Sequence, residues 1–275
     1  MKIEKTKQSI PVPQPERPLP PGVRHPLEAV ADSITGLVRR RNEDSYLYCR
    51  DASGKYLLAA VADGIGCTRN GDAASCYALQ MLAGLWQKLV FPKVRQQSFS
   101  RDFLMDAFLK INQRLFEINQ VTKDLYERDS LGTTLTAAVF LQDVMVAVNA
   151  GDSPIFRVRD GQIRQLTFDH NLSCEMERSG KLVEDEEILR DYGRLLTRFI
   201  GLNVPVEPEY YIANVRPGDR FLLCSDGLTL HVKPDEICKL LTQKENISEA
   251  LKLMFSRIFH RGAMDNATAI VLRAV

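Results

Sequence analysis

The chain has 275 residues, 45% of them hydrophobic, enough for one large or two small domains with a sizeable core. Its 36 Lys and Arg against 35 Asp and Glu leave a net charge of +1, which argues against a nucleic-acid partner or a membrane surface held by charge. No run approaches the roughly 20 apolar residues of a membrane span, and MKIEKTKQSI lacks the apolar stretch of a leader, so a cytoplasmic location is expected.

In chain order, seven of the 13 prolines fall in PVPQPERPLPPGVRHP, residues 11–26, a composition that forms neither helix nor central strand. Residues 1–26 are therefore read as a proline-rich disordered arm and 27–275 as the folded domain. TGLVRRRNEDSYLYC places Glu43 and Asp44 before an apolar-aromatic strand, with Arg39 just upstream. LLAAVADGIG is an apolar run that stops at Asp63-Gly64. From Asp72 to Leu89, the residues Ala74, Ala78, Met81, Leu85 and Leu89 make one helical stripe. A second helix, over 100–120, carries Leu104, Phe108, Ile111, Leu115 and Ile118, with Ser100 as its N-cap.

TTLTAAVF and VMVAVNAG flank the connector Leu141-Gln142-Asp143, and the second runs into Gly151-Asp152. PIFRVR turns at Asp160-Gly161 into QIRQLT, a hairpin signal. FLLCSDGL delivers Asp226 after another apolar run, helical patterns occupy 234–243 and 247–260, and Asp265-Asn266 precede the closing strand. Continuous apolar runs mean strands covered on both faces. The expected class is α+β, two packed antiparallel sheets flanked by helices. Cys49, Cys67, Cys76, Cys174, Cys224 and Cys238 show no CxxC pairing and read as reduced thiols.

An Asp-Gly after a strand is by itself a turn, and Asp160-Gly161 is read as one. Five acidic motifs at strand termini, each with a small neighbour, ask for more. In an antiparallel sheet the start of one strand shares a rim with the end of the next, so Asp63, Asp152, Asp226 and Asp265 are expected to converge, with Glu43 and Asp44 beside them. Carboxylates packed together repel unless a cation sits among them, and an oxygen-only donor set points to Mg²⁺ or Mn²⁺ and away from Zn²⁺. Cysteine-phosphatase chemistry is excluded, because no Arg stands six positions after any Cys; neither is there an Asp-x-Asp for an aspartyl-phosphate enzyme.

GLVRRRNED, VADGIG, LGTT, AGDS, LTFDHN, LTRFIG, LLCSDGLT and MDNAT follow one another across residues 30–275. In these motifs the chain resembles the metal-dependent protein phosphatase family, the type 2C serine/threonine phosphatases, and most of all its compact bacterial members. The resemblance implies a four-layer αββα sandwich with a binuclear metal site at one rim. It further implies that Asp63 bridges two Mg²⁺ or Mn²⁺ ions, Glu43 and the Gly64 carbonyl bind one, and Asp226 and Asp265 bind the other. By the same resemblance Asp44 holds metal-bound water, Arg39 grips the substrate phosphate, Asp152 and Asp226 share a third, weaker ion, and Asn266 orients its neighbours.

The implied activity is hydrolysis of phosphoserine and phosphothreonine in proteins by a metal-bridged hydroxide, by a monomer whose partner is a Ser/Thr kinase or that kinase's targets. The alternative is a pseudophosphatase that binds phosphoproteins without turnover, although such a module has no use for repelling carboxylates. Departures from the family are also visible. Ile65-Gly66-Cys67-Thr68 lacks the His that many relatives carry after Asp-Gly, and Pro154 replaces the usual Arg, so Asp152 is expected to count for less than the main ligands. His170 is read as structural, and about 172–194 as a flap that helps choose the substrate.

Overall fold

A computed structural model of the chain describes residues 27–65, 70–91, 96–122, 130–181, 191–193, 195–201 and 205–275. The proline-rich arm and Cys67 lie outside the described residues.

The strands are β1 (Leu27–Ile34), β2 (Asp44–Arg50), β3 (Leu57–Asp63), β4 (Leu135–Phe140), β5 (Val144–Ala150), β6 (Ile155–Arg159), β7 (Gln162–Gln165), β8 (Glu209–Asn214), β9 (Arg220–Cys224) and β10 (Ala267–Ala274). The helices are α1 (Gly71–Gln87), α2 (Gln96–Thr122), α3 (Leu172–Arg178), α4 (Asp226–His231), α5 (Pro234–Gln243) and α6 (Ile247–His260). One sheet runs β1-β10-β9-β6-β7 and the other β2-β3-β4-β5-β8, with antiparallel neighbours throughout.

The two-residue period of a strand explains why the apolar runs are continuous. Along β3, Leu57, Ala59 and Val61 face the other sheet, where they share a core with Phe140, Met145, Phe221, Leu223 and Ile270. Leu58, Ala60 and Ala62 face the opposite way, into a second core with Trp86 of α1 and Phe108, Ile111 and Leu115 of α2. On the far side, Leu222, Cys224, Ala269 and Val271 pack against Ile237 and Leu241 of α5 and Met254 and Phe255 of α6. Helices thus cover both outer faces, and the layers read α, β, β, α. Phe140 and Phe221 join the sheets edge to face, with ring centroids 5.1 Å apart.

Asp160 and Gly161 both have positive φ, +50° and +73°, as a primed two-residue turn between β6 and β7 requires. Two helices differ from what the sequence pattern predicts. The buried line of α1 is Ala74, Ala78 and Leu82 with Ser75, Leu79 and Trp86, while Met81, Leu85 and Leu89 are only partly covered. Apolar residues surround that helix, so spacing alone does not say which line faces inward. Ser100 is no N-cap: α2 begins at Gln96, and the Ser100 hydroxyl donates to the Gln96 carbonyl at 2.8 Å inside the helix. The hydroxyl that resembles a cap satisfies the preceding turn instead.

Candidate active site

Antiparallel pairing gathers the acidic residues at one rim. Asp44 opens β2 directly opposite Asp63, which closes β3. Asp152 follows β5, Asp226 opens α4 just after β9, and Asp265 precedes β10. Asp226 therefore sits on a helix's first position, behind the N-cap Ser225, rather than on a strand tip.

Asn266 clamps the loop that carries Arg39 and Glu43. Its Oδ1 accepts the Glu43 amide at 3.0 Å, and its Nδ2 donates to the carbonyls of Thr35 at 2.8 Å and Arg41 at 2.9 Å. The Glu43 carbonyl in turn accepts the Gly64 amide at 3.0 Å and the Ser75 hydroxyl at 2.6 Å. Two glycines permit this closeness. A Cβ on Gly64 would stand 2.2 Å from the Gly71 carbonyl oxygen, and one on Gly227 would stand 1.8 Å from that of Asn266.

Arg39 lays its fork on Asp265, Nε to Oδ1 and Nη2 to Oδ2 both at 2.9 Å, while Nη1 lies 3.8 Å from Glu43 Oε2. Its side chain is 41% exposed, so the guanidinium is reachable from solvent at the lip of the cluster.

Every carboxyl shift resolved at the rim is upward. Burial pushes Asp44 up to about 6, against hydrogen bonds from Ser225 and Thr268. Burial raises Asp63 well above the carboxylate range, and the charges of Asp44, Asp226, Asp152 and Asp265 add to it. Asp152 is pushed up by burial, then by Asp226 and Asp169. Thin hydration raises Asp226 first and the Asp265 charge second, while burial raises Glu43 against the pull of Arg39. These are groups held in a negative field of their own making.

Asp169, which the sequence reading does not single out, joins them. Burial pushes its carboxyl up to about 7, opposed by a hydrogen bond from Gln165 and assisted by Asp226. It stands shortly after β7, the same acid-after-strand pattern that marks the others, within the FDHN motif. Its neighbour His170 is buried, and it braces the loop of Asp152: its amide donates to the Gly151 carbonyl at 3.0 Å and its Nδ1 accepts the Gly151 amide at 3.2 Å. Pro154 fastens the same loop to β9, accepting the Cys224 amide on its carbonyl at 3.2 Å.

The first part of the expected flap is α3, capped by Asn171, whose Oδ1 accepts the Cys174 amide at 3.0 Å. Arg178 and Arg198 both reach Glu209 Oε1 at 2.8 Å, tying α3 to β8. Residues 182–190 and 194 of that segment lie outside the described residues.

Among the described residues no three side chains close into a ready-made metal cage. The donor set nevertheless fits a hard divalent cation. It is all oxygen, it is electrostatically unhappy, and one of its atoms, Asp44 Oδ1, is buried with no hydrogen-bond partner while Oδ2 accepts the Ser225 hydroxyl at 2.7 Å.

A family model described as Protein phosphatase 2C matches residues 38–270. The serine/threonine phosphatase stp of Listeria monocytogenes serotype 4b is 29% identical over 237 residues, covering 86% of this chain and 92% of that one. The serine/threonine phosphatase of S. agalactiae superposes with a TM-score of 0.82 at 28% identity, covering 90% of this chain and 100% of that chain. The catalytic domain of the serine threonine protein phosphatase PstP, in complex with 2 manganese ions, superposes with a TM-score of 0.72 at 29% identity, covering 90% of this chain and 98% of that chain.

Proposed function

The chain belongs to the protein phosphatase 2C family, and from that premise we propose that it hydrolyses phosphoserine and phosphothreonine in proteins at the acidic rim beside Arg39. The observation that carries this reading is the arrangement itself: carboxyls pushed up the pH scale by burial and mutual repulsion, with one reachable guanidinium at their edge.

Asp63, Glu43 and the Gly64 carbonyl would hold one Mg²⁺ or Mn²⁺ ion, and Asp63, Asp226 and Asp265 a second. Asp152, Asp226 and Asp169 would hold a weaker third. Ions held there would supply an acidified water and neutralise charge on the phosphoryl oxygens.

The chain's own residues do the rest. Arg39 offers the fork that now meets Asp265, and a phosphate takes such a fork through paired charge-assisted hydrogen bonds. Asp44 presents its open Oδ1 as an acceptor for water. Asn266 keeps the Arg39–Glu43 loop in register with β10. Ser225, whose hydroxyl meets the Asp44 carboxylate, is buried between it and the Thr268 amide at 2.7 and 3.0 Å, so it is not free to attack phosphorus, which favours direct hydrolysis.

The substrate is a phosphorylated protein, and the natural counterpart is a Ser/Thr kinase with the same targets. We read the protein as a cytoplasmic monomer, a placing supported by the five described cysteines, all unpaired. No helix among the described residues is long and apolar enough to cross a membrane.

Hydrolysis of a phosphothreonine peptide, followed with Mn²⁺ and with chelator, tests the reading together with Asp226→Asn. Turnover should require the metal and fall by orders of magnitude in the variant, while the fold survives. Wild-type turnover by Asp226→Asn would overturn the site, and phosphopeptide binding with no turnover would make the protein a binding module.

A further inference from the structure

β2 is the outermost strand of its sheet, and its free side begins at the acidic rim. The Gly64 amide donates to the Glu43 carbonyl, so residues 43 and 64 form a hydrogen-bonded pair. Antiparallel pairs alternate, so Ser45, Leu47 and Cys49 spend their backbone groups on β3, and Tyr46 and Tyr48 turn theirs outward. The outward Asp44 amide is taken by Asn42 Oδ1 at 3.2 Å. Among the described residues nothing pairs with the outward groups of Tyr46 and Tyr48, and their side chains are also exposed, at 41% and 42%.

Natural edges are blunted by Lys, Pro or a bulge. Ser45 to Cys49 carries no charge and no proline, and its register with β3 is unbroken. Beside it runs a groove of about 350 Å³ whose floor and walls include Asn42, Asp44, Tyr46, Leu79, Gln80 and Ala83. Asn42 and Asp44 belong both to this groove and to the loop and rim of the acidic cluster.

We propose that this edge and groove bind the substrate's backbone: an extended segment flanking the phosphorylated residue adds as a strand to β2, leading the phosphoresidue to the rim. The proposal rests on the phosphatase reading above. A phosphoresidue held at the rim must lay its flanking chain across neighbouring surface, and the edge of β2, with outward N–H and C=O groups that nothing among the described residues takes, starts at Asp44 beside its own groove. At about 3.3 Å per residue, the backbone groups of Tyr46 and Tyr48 meet substrate positions about two and four residues from the phosphoresidue. Alternate substrate side chains then face α1 across Leu79 and Ala83, and the rest lie along Tyr46 and Tyr48. Recognition through backbone groups reads extendedness more than sequence, so substrates should be phosphosites in unstructured segments.

The test uses the full chain, a phosphothreonine peptide, and p-nitrophenyl phosphate, which is too small to reach the groove. N-methylation of the peptide backbone, placed singly along it, should lower kcat/KM about three- to tenfold at alternate positions on one side of the phosphoresidue and little at the positions between, as expected for losing one hydrogen bond. Gln80→Trp and Gln80→Arg, both at an exposed position on α1, should raise KM for the peptide about tenfold and leave p-nitrophenyl phosphate turnover unchanged. Methylation without alternation, or groove variants that act equally on both substrates, would overturn the proposal.

Two other occupants give distinct results. A synthetic peptide of residues 11–26 that competes at the groove, with methylation of the substrate having no effect, would assign the edge to the chain's own arm. A dimer in sedimentation that Gln80→Trp dissociates would assign it to a second copy. If neither substrate turns over, the phosphatase reading fails by itself, and the same methylated peptides in a fluorescence-anisotropy binding assay still decide the groove.

Discussion

At the scale of single residues, the rim sets charge against charge, and Arg39 is its counterweight. Arg39→Ala should leave metal binding by calorimetry intact and lower kcat/KM on a phosphothreonine peptide about ten- to a hundredfold, the worth of a charge-assisted hydrogen bond. Arg39→Lys should recover only part, since an ammonium is a point charge without the planar fork. Equal kcat/KM in all three proteins would remove Arg39 from phosphate binding. Asp169 makes a pH prediction. Its folded pKa, about 7, stands above that of an unfolded aspartate, so its favourable contribution is present below about pH 4 and is lost as pH rises toward 7. In chelator, Asp169→Asn should melt with the wild type near pH 4 and several degrees above it at pH 8. A scanning-calorimetry difference that stays the same at both pH values would deny the buried, repelled carboxyl. That residue is not legible in the sequence, because acid-after-strand is also how ordinary loops begin and its place beside Asp152 and Asp226 comes from tertiary packing.

At the scale of elements, α5 and α6 are joined by Glu236. It takes Arg261 through both oxygens at 2.7 Å and Arg257 at 3.1 Å, and it also accepts the Lys233 amide at 3.3 Å at the start of α5. The Arg261 hydrogen bonds, chief among these partners, hold its pKa down to about 2. A depressed carboxyl stabilises above its unfolded pKa of about 4.3 and loses that contribution as pH falls toward 2. Glu236→Gln should accordingly lower the melting temperature at pH 7, with the gap to wild type closing as the pH falls from about 4.5 to 2. Elements such as α5, with an apolar stripe between polar flanks and Pro234 at its first position, are readable from sequence. The start of α2 is not, because Ser100 advertises a start four residues after Gln96, where its hydroxyl instead bonds back inside the helix.

At the scale of the molecule, the two sheets meet through residues that sequence spacing picks out well. Leu57 to Ala62 and Val144 to Ala150 read as strands wet on neither face, and the paired sheets with helices outside are the economical way to achieve that. Phe221→Ala should cost about 3–5 kcal/mol by opening a cavity against Phe140, seen as a lower urea midpoint with an unchanged slope. A shift under 1 kcal/mol would mean that the inter-sheet layer is far softer than it looks. Less legible is which ends of which strands share a rim. Asp44 and Asp63 announce their pairing through the short loop between β2 and β3, but bringing Asp226 and Asp265 alongside needs the second sheet laid across the first, a relation no local pattern encodes.

The glycines at positions 64 and 227 carry a consequence for how the protein tolerates change. Their missing methyl groups admit carbonyl oxygens at 2.2 and 1.8 Å from where a Cβ would stand, whereas the neighbouring aspartates repel one another. Removing one of those charges should therefore ease the structure, and replacing a neighbouring glycine hydrogen by a methyl group should break it. In a variant library sorted by a folding reporter with no demand for catalysis, positions 63 and 226 should drift freely to Asn, Ser and Ala while 64 and 227 stay glycine. Enzymatic selection would then reverse the ranking at the aspartates alone, so that the glycines flanking this chemistry are kept by the architecture and the acids by the reaction.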